Sequence, residues 1–425
     1  MTPAIEIASP TAASQCPGVN AVVLSGGGAN GAYEVGVLKA LLGGASPATS
    51  MQPLRPGIVT GTSIGGFNAA ALVSRYHHDN WLDSAQDLEN IWLDLIPRDD
   101  STSHNHIYRF RANPFEFLNP GLLMTNPMLP VQDFAKDAVH FVQAFFASAA
   151  AVLEPNGKIE ARVATAIDFS ALISNEPSVR LVHQVMAPLV IRESDIKLRI
   201  ISTNWDTGVV RIFENWDMTD QLTDSIVLSS TAMPGVFPGV VMDGDTYVDG
   251  GVVMNTPLLP ALQAGADTLH LIYLDPSVGS IPVSSLHSTL DTLARMITVM
   301  FATKMNDDIR RAALVNRWAK YVENATAANN VSTDQEDVFK QILGVTTLRP
   351  VVIHRYHPLD DIGGGLLGWL DFSRERIASL IDRGFSDAVN HDCFRSGCVL
   401  SDGTVLSTAL RSQFTTGSTA NAPGT

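Results

Sequence analysis

The chain has 425 residues, 45% of them apolar, and 28 Lys and Arg against 43 Asp and Glu give a formal net charge of -15. That length and apolar content support a sizeable core, as one large domain with additions or as two domains, and exclude a disordered chain. The negative balance argues against non-specific nucleic-acid binding and against a purely electrostatic attachment to anionic lipid.

Residues 1–17 are small and mostly polar, with three prolines, and read as a loose arm. Asn20 to Leu24 is apolar enough for a buried strand. It runs into Ser25-Gly26-Gly27-Gly28-Ala29-Asn30-Gly31, and then into a helical pattern with Val35, Leu38 and Leu42 on one face. A strand, a glycine loop and a helix make an anion cradle, because unpaired backbone N–H groups point at the loop. The P-loop lysine is absent and the glycine spacing fits a dinucleotide fingerprint poorly. An oxyanion hole and a plain tight turn both stay open on these residues alone.

Pro56 to Ser74 follows. Ile58-Val59 ends a strand, Gly61-Thr62-Ser63-Ile64-Gly65 forms a G-x-S-x-G frame, and an Ala-rich helix comes next. A strand, a sharp turn and a helix with serine at the apex expose the hydroxyl near a helix N-terminus. Residues 76–175 read as a mostly helical insertion. Within it, 131–153 is amphipathic around Phe134, Ala138, Phe141, Val142 and Phe145, as core packing or as a lid facing a membrane. His104 and His106 lack a carboxylate cluster and read as loop residues.

Ile196 to Thr203 alternates as a strand, with Gly208 to Phe213 as its antiparallel partner. Asp224 to Ser230 opens a helix or turn. Val240 to Val248 is a hairpin turning at Asp243-Gly244, and it ends in Asp249-Gly250-Gly251. Leu269 to Leu274 and Pro350 to Tyr356 are further strands. Between them 284–343 is helical with a polar break, 373–390 is a closing helix, and 398–407 is a small hairpin at Asp402-Gly403. The alternation predicts an α/β fold with a largely parallel sheet, whose site lies at the strands' carboxyl ends. Three loops leave such ends: Gly26–Gly31, Gly61–Gly65 and Asp249–Gly251. A triad would add one of His270, His287, His354, His357 or His391, and none is recommended by its context.

Four stretches together resemble the patatin-like phospholipase family: Gly26-Gly27-Gly28-Ala29-Asn30-Gly31-Ala32-Tyr33, Gly61-Thr62-Ser63-Ile64-Gly65, Ser230 to Pro238, and Tyr247-Val248-Asp249-Gly250-Gly251. The resemblance covers roughly 18–275. It implies a patatin-like three-layer α/β/α sandwich with a mostly parallel central sheet. The residues' own pattern adds the helical insertion at 76–175, a mainly helical C-terminal extension over 276–411, and a tail from 412 to 425 whose Ser, Thr, Gly and Ala read as disordered. The resemblance also implies a Ser–Asp dyad without histidine, with Ser63 as nucleophile and Asp249 as base. Gly26, Gly27 and Gly28 would be the oxyanion donors, and Gly31, Gly61, Gly65, Gly250 and Gly251 the motif glycines. The family usually has Arg or Lys where this chain has Asn30.

The implied reaction is hydrolysis of lipid carboxylic esters. An acyltransferase using the same dyad and an inactive lipid-binding scaffold are the alternatives. The expected partners are a lipid or acyl-ester substrate and a transient membrane surface, with no nucleic acid. With an ordinary carboxylate as base, activity is expected to persist below about pH 6. Three cysteines, Cys16, Cys393 and Cys398, make no disulfide framework, and two of four ligands do not make a zinc site, so no metal and no cofactor are expected. Met1 to Gly18 lacks the basic and apolar regions of a secretory signal, and no stretch is long and apolar enough to span a bilayer. The expected location is the cytoplasm, with peripheral membrane contact as a variant.

Overall fold

The structure is a computed structural model and describes residues 18–76, 80–97, 105–110, 173–274, 309–310, 312–325, 337–338, 349–358, 362 and 368–407. The expected arm at 1–17, the amphipathic helix over 131–153, His104, His287, most of 284–343 and the tail from 412 lie outside the described residues.

A mixed sheet organises the molecule. Its parallel part runs β10 (Val352–Tyr356), β9 (Thr268–Ile272), β1 (Asn20–Leu24), β2 (Ile58–Thr62) and β5 (Lys197–Asn204). β6 (Val210–Glu214) and the hairpin β7 (Val240–Met242) and β8 (Asp245–Asp249) join antiparallel at the β5 end. The hairpin turns where expected, with Asp243 at φ 52° and Gly244 at φ 92°, the two positive values a tight two-residue turn requires. A separate two-residue pair joins β3 (Arg109–Phe110) to β4 (Ile173–Ser174).

The central strands are apolar on both faces because helices cover both. Val22, Leu24 and Val59 enter one core with the helices α1 (Gly31–Leu42), α2 (Ile64–Ser74) and α3 (Trp81–Asn90). Ala21, Val23 and Ile58 alternate into a second core with Leu258, Leu269, Ile353 and Val399. Two cores on two faces of one sheet make the expected three layers.

Of the helices α4 (Glu176–Val185), α5 (Pro188–Glu193) and α6 (Thr223–Ser230), α6 packs on β5, α4 packs on α6, and α5 packs on α2. α7 (Leu258–Gln263) covers the second face. α8 (Arg374–Val389) lies against α1, and α9 (Cys393–Ser396) follows it.

α1 buries more than the face of Val35, Leu38 and Leu42: of its twelve residues only Lys39 is not buried, since α8 covers the side turned away from the sheet. Backbones meet at that crossing. A Cβ on Gly36 would strike the Ile381 carbonyl, and one on Gly384 would strike that of Tyr33. Tyr33 Oη donates to Asp387 Oδ2 at 3.1 Å, which ties the two helices further. β10 and α8 thus belong to the same sheet-and-helix body as the N-terminal strands, although they lie late in the chain.

Candidate active site

The carboxyl ends of β1, β2 and β9 point to one side of the sheet, and the glycine loop and Ser63 lie there. Ser63 sits between β2 and α2 at φ 56°, ψ -130°, a conformation rarely adopted by a residue with a side chain. The turn is this sharp because its neighbours have no Cβ. On Gly61 a Cβ would meet the Gly65 carbonyl, and on Gly65 it would come within 2.6 Å of the Leu24 carbonyl. Ser230 Oγ braces the bend, accepting from Ser63 N–H at 3.0 Å and donating to the Ile201 carbonyl at 2.6 Å.

Sheet register brings Asp249 to this serine. On β5, Ile201 pairs with Thr62 at the end of β2, and the next residue, Ser202, pairs with Asp249 at the end of β8. β6 occupies the other edge of β5 from Arg199 to Thr203. β8 therefore has to use the edge that β2 vacates, and the two strands meet end to end. The result is a hydrogen bond of 2.6 Å from Ser63 Oγ to Asp249 Oδ2, with 7% and 4% of the two residues exposed. Asp249 Oδ1 accepts from Gly251 N–H at 2.7 Å. Gly250 allows the chain to leave β8 close to β5, since a Cβ there would lie 2.5 Å from the Ile201 carbonyl.

Burial pushes the Asp249 carboxyl up to about 7, against the lowering pull of the Ser63 and Gly251 hydrogen bonds. The expectation of activity persisting below about pH 6 rested on an ordinary carboxylate and is corrected by this environment.

The glycine loop lies beside the pair. Gly26 N–H is engaged with the Asn255 carbonyl at 3.2 Å, while the Gly27 and Gly28 N–H groups meet no acceptor among the described residues. Gly28, at φ 58°, lines the Ser63 cleft. Of the three N–H groups expected as donors, that of Gly26 is thus already engaged, whereas those of Gly27 and Gly28 are not, among the described residues. Ser25 N–H donates to the buried carboxyl of Glu34, whose other oxygen accepts from Asn68 Nδ2 at 2.8 Å; Asn68 Oδ1 in turn accepts from Trp92 Nε1 at 2.8 Å. Burial holds Glu34 well above the usual carboxylate range. These hydrogen bonds fix the glycine loop, α1, α2 and the turn that follows α3 relative to one another. Sequence reading missed them, although a glutamate inside an apolar helix start was a signal.

The walls of the cleft are apolar: Ile64, Met233, Val236, Phe237, Trp369 and Phe372. Met233, Val236 and Phe237 come from the third sequence motif, whereas Trp369 and Phe372 come from the far C-terminal part. A neighbouring apolar pocket shares Ile64, Ile107, Thr231 and Phe237 and continues to Leu181 and Val182 of α4. Arg376 Nη2, from α8, donates to Asn30 Oδ1 at 3.0 Å, so a cation from another part of the chain stands at the loop position that lacks one of its own.

Among the described residues, no histidine lines this cleft. His270 and His354 pair across β9 and β10, His391 packs on Tyr356, and His357 stacks on Tyr273. The two-ligand count for the cysteines is corrected: His354 and His391 stand with Cys393 and Cys398, their ligand atoms within 4.8 Å of one another. His391, Cys393 and Cys398 lie within eight residues and were a signal that sequence reading missed; the fourth member, His354, comes from a strand 37 residues earlier. No helix among the described residues is long and apolar enough to cross a membrane.

A family model described as Patatin-like phospholipase matches residues 22–262. No curated protein matches the chain. Among solved structures it is similar to VipD from Legionella pneumophila, with 15% identity over 89% of this chain and 67% of that one, at a TM-score of 0.35. The family match spans more than half of the chain and contains the glycine loop, Ser63 and Asp249, and the chain belongs to the patatin-like phospholipase family.

Proposed function

We propose that the protein is a lipid acyl hydrolase that cleaves carboxylic esters through an acyl-Ser63 intermediate, with Asp249 as the base. The observation that carries this reading is the buried 2.6 Å hydrogen bond from Ser63 Oγ to Asp249 Oδ2. As Ser63 Oγ attacks the ester carbonyl carbon, its proton passes to Asp249. The negative charge on the former carbonyl oxygen is received by the N–H groups of Gly27 and Gly28 and by the N-terminus of α2. Collapse expels the alcohol, which takes the proton from Asp249. Water then attacks the acyl-serine and gives a proton to Asp249; collapse of this second intermediate releases the carboxylic acid and expels Ser63 Oγ, which takes the proton back from Asp249.

A carboxyl held at about 7 accepts a serine proton far better than one near 3.9, which suits a dyad without histidine. The apolar walls around Phe237 and Trp369 and the adjoining pocket toward Leu181 favour an acyl chain over a polar substrate. The catalytic unit is the segment 18–275, completed by Trp369, Phe372 and Arg376 from the C-terminal extension, and it meets its lipid at a membrane surface.

The test is turnover of phospholipid vesicles and of a chromogenic short-chain ester by purified wild type and Ser63→Ala. Loss of about three orders of magnitude or more on both substrates, with an unchanged melting curve, is expected. Undiminished turnover by Ser63→Ala would overturn the reading.

A further inference from the structure

At the β10 edge of the sheet, four ligand-bearing side chains converge where the C-terminal segment meets the edge strand. His354 lies in β10, His391 follows α8, Cys393 opens α9 and Cys398 follows it. Gly397, left-handed at φ 71°, reverses the chain between the two cysteines, and Cys398 N–H donates back to the Cys393 carbonyl at 3.0 Å. Cys393 Sγ stands 3.6 Å from His354 Nδ1 and 3.5 Å from His391 Nε2, and Cys398 Sγ stands 3.4 Å from the same Nε2.

These separations have a simple reading. With metal–sulfur bonds of about 2.3 Å and metal–nitrogen bonds of about 2.05 Å, the sulfur–nitrogen edge of a zinc tetrahedron is about 3.6 Å. Hydrogen bonding among two thiols and two imidazoles does not require all four to share one centre, and here the four ligand atoms lie within 4.8 Å of one another. We propose that His354 Nδ1, His391 Nε2 and the thiolates of Cys393 and Cys398 bind one divalent metal ion of zinc-like preference.

The ligand set selects the ion. Two sulfurs and two imidazole nitrogens in a tetrahedron suit zinc and suit hard cations such as magnesium or calcium poorly. Four protein ligands leave no open position for water, so the site is structural. The supporting shell is present. Arg355 N–H donates to Cys398 Sγ at 3.4 Å, the His270 ring stacks on His354 with centroids 5.2 Å apart, and the Tyr356 ring covers His391 at 4.6 Å. A cleft walled by Asn20, His270, His354, His391 and Cys393 gives the ion a way in. On binding, both thiols give their protons to solvent.

The clamp has a clear mechanical effect. Outside the four ligands, the 391–407 segment is held to the edge strand by a two-way backbone pairing of Ile353 with Val399 and by Arg355 Nη1, which donates to the Gly397 carbonyl at 3.1 Å. A metal would tie the end of α8, the middle of β10 and this segment together. α8 carries Arg376 to the glycine loop, and Trp369 and Phe372 precede it in the Ser63 cleft. The metal would therefore secure one wall of the cleft without taking part in the chemistry.

The test is the metal content of full-length wild type and of Cys393→Ser/Cys398→Ser, each incubated with zinc and dialysed, together with the absorption spectrum of cobalt-loaded wild type. The expected result is one zinc per chain in wild type and a loss of about tenfold or more in the variant. Cobalt-loaded wild type should also show a thiolate-to-cobalt charge-transfer band. Wild type that retains no zinc, equal zinc in the variant, or a wild-type mass lower by two hydrogens from a Cys393–Cys398 disulfide would overturn the proposal. If the variant does not fold, absence of the cobalt band in wild type would overturn it alone.

Discussion

Replacing Asp249 with Asn should stabilise the protein while it removes the activity. The carboxyl is 4% exposed and is held at about 7 by burial, whereas in the unfolded chain it titrates near 3.9. Below about pH 4 both states are protonated and the residue contributes nothing to the pH dependence. Between about pH 4 and 7 the unfolded state ionises and the folded state does not, so stability falls as pH rises. Above about pH 7 the cost is constant. About three units at about 1.4 kcal/mol each give an upper bound of about 4 kcal/mol. Asparagine has the same shape: its Oδ1 can keep the Gly251 N–H, and its Nδ2 can donate to Ser63 Oγ. The assay is thermal unfolding of wild type and Asp249→Asn at pH 8 and pH 4. The variant should melt several degrees higher at pH 8, and the gap should close at pH 4. A variant less stable at pH 8, or a gap independent of pH, would refute the argument that burial raises this carboxyl.

Further outcomes are expected. Ester turnover should rise with pH through about 7 and level off above it, because the base must be unprotonated; a flat profile from pH 5 to 8 would count against Asp249 as that base. Ser230→Ala removes the acceptor of the buried Ser63 N–H and should cost about 1–3 kcal/mol of stability in a denaturant titration, with a fall in kcat larger than any change in KM. Gly384→Ala places a methyl against the Tyr33 carbonyl and should cost about 1–3 kcal/mol or more by the same titration.

What the sequence disclosed was local. The glycine loop, the serine elbow and Asp249-Gly250-Gly251 each fit within a few residues, because each is a strand end whose backbone has to turn sharply. The strands β1, β2, β5, β9 and β10 were legible for the same kind of reason, as apolar or alternating runs. What escaped depends on register and on distant segments. Nothing near Asp249 says that β8 meets β2 end to end on β5, which is what places the carboxylate on Ser63. The elevated proton affinity of Asp249 follows from that burial and from no property of its neighbours in sequence. Trp369, Phe372 and Arg376 lie more than 100 residues beyond the last family motif and reach the site only because α8 crosses α1 at Gly36 and Gly384. The approach of His354 to His391, Cys393 and Cys398 is of the same non-local kind, although those three lie within eight residues of one another.

The most direct test of the central claim is intact-mass analysis of the protein treated with a fluorophosphonate, with the labelling rate followed as a function of pH. The account predicts a single adduct, located on Ser63, absent from Ser63→Ala, and formed faster as pH rises through about 7. An adduct on Ser63→Ala at the wild-type rate, or an adduct located on another residue, would contradict it.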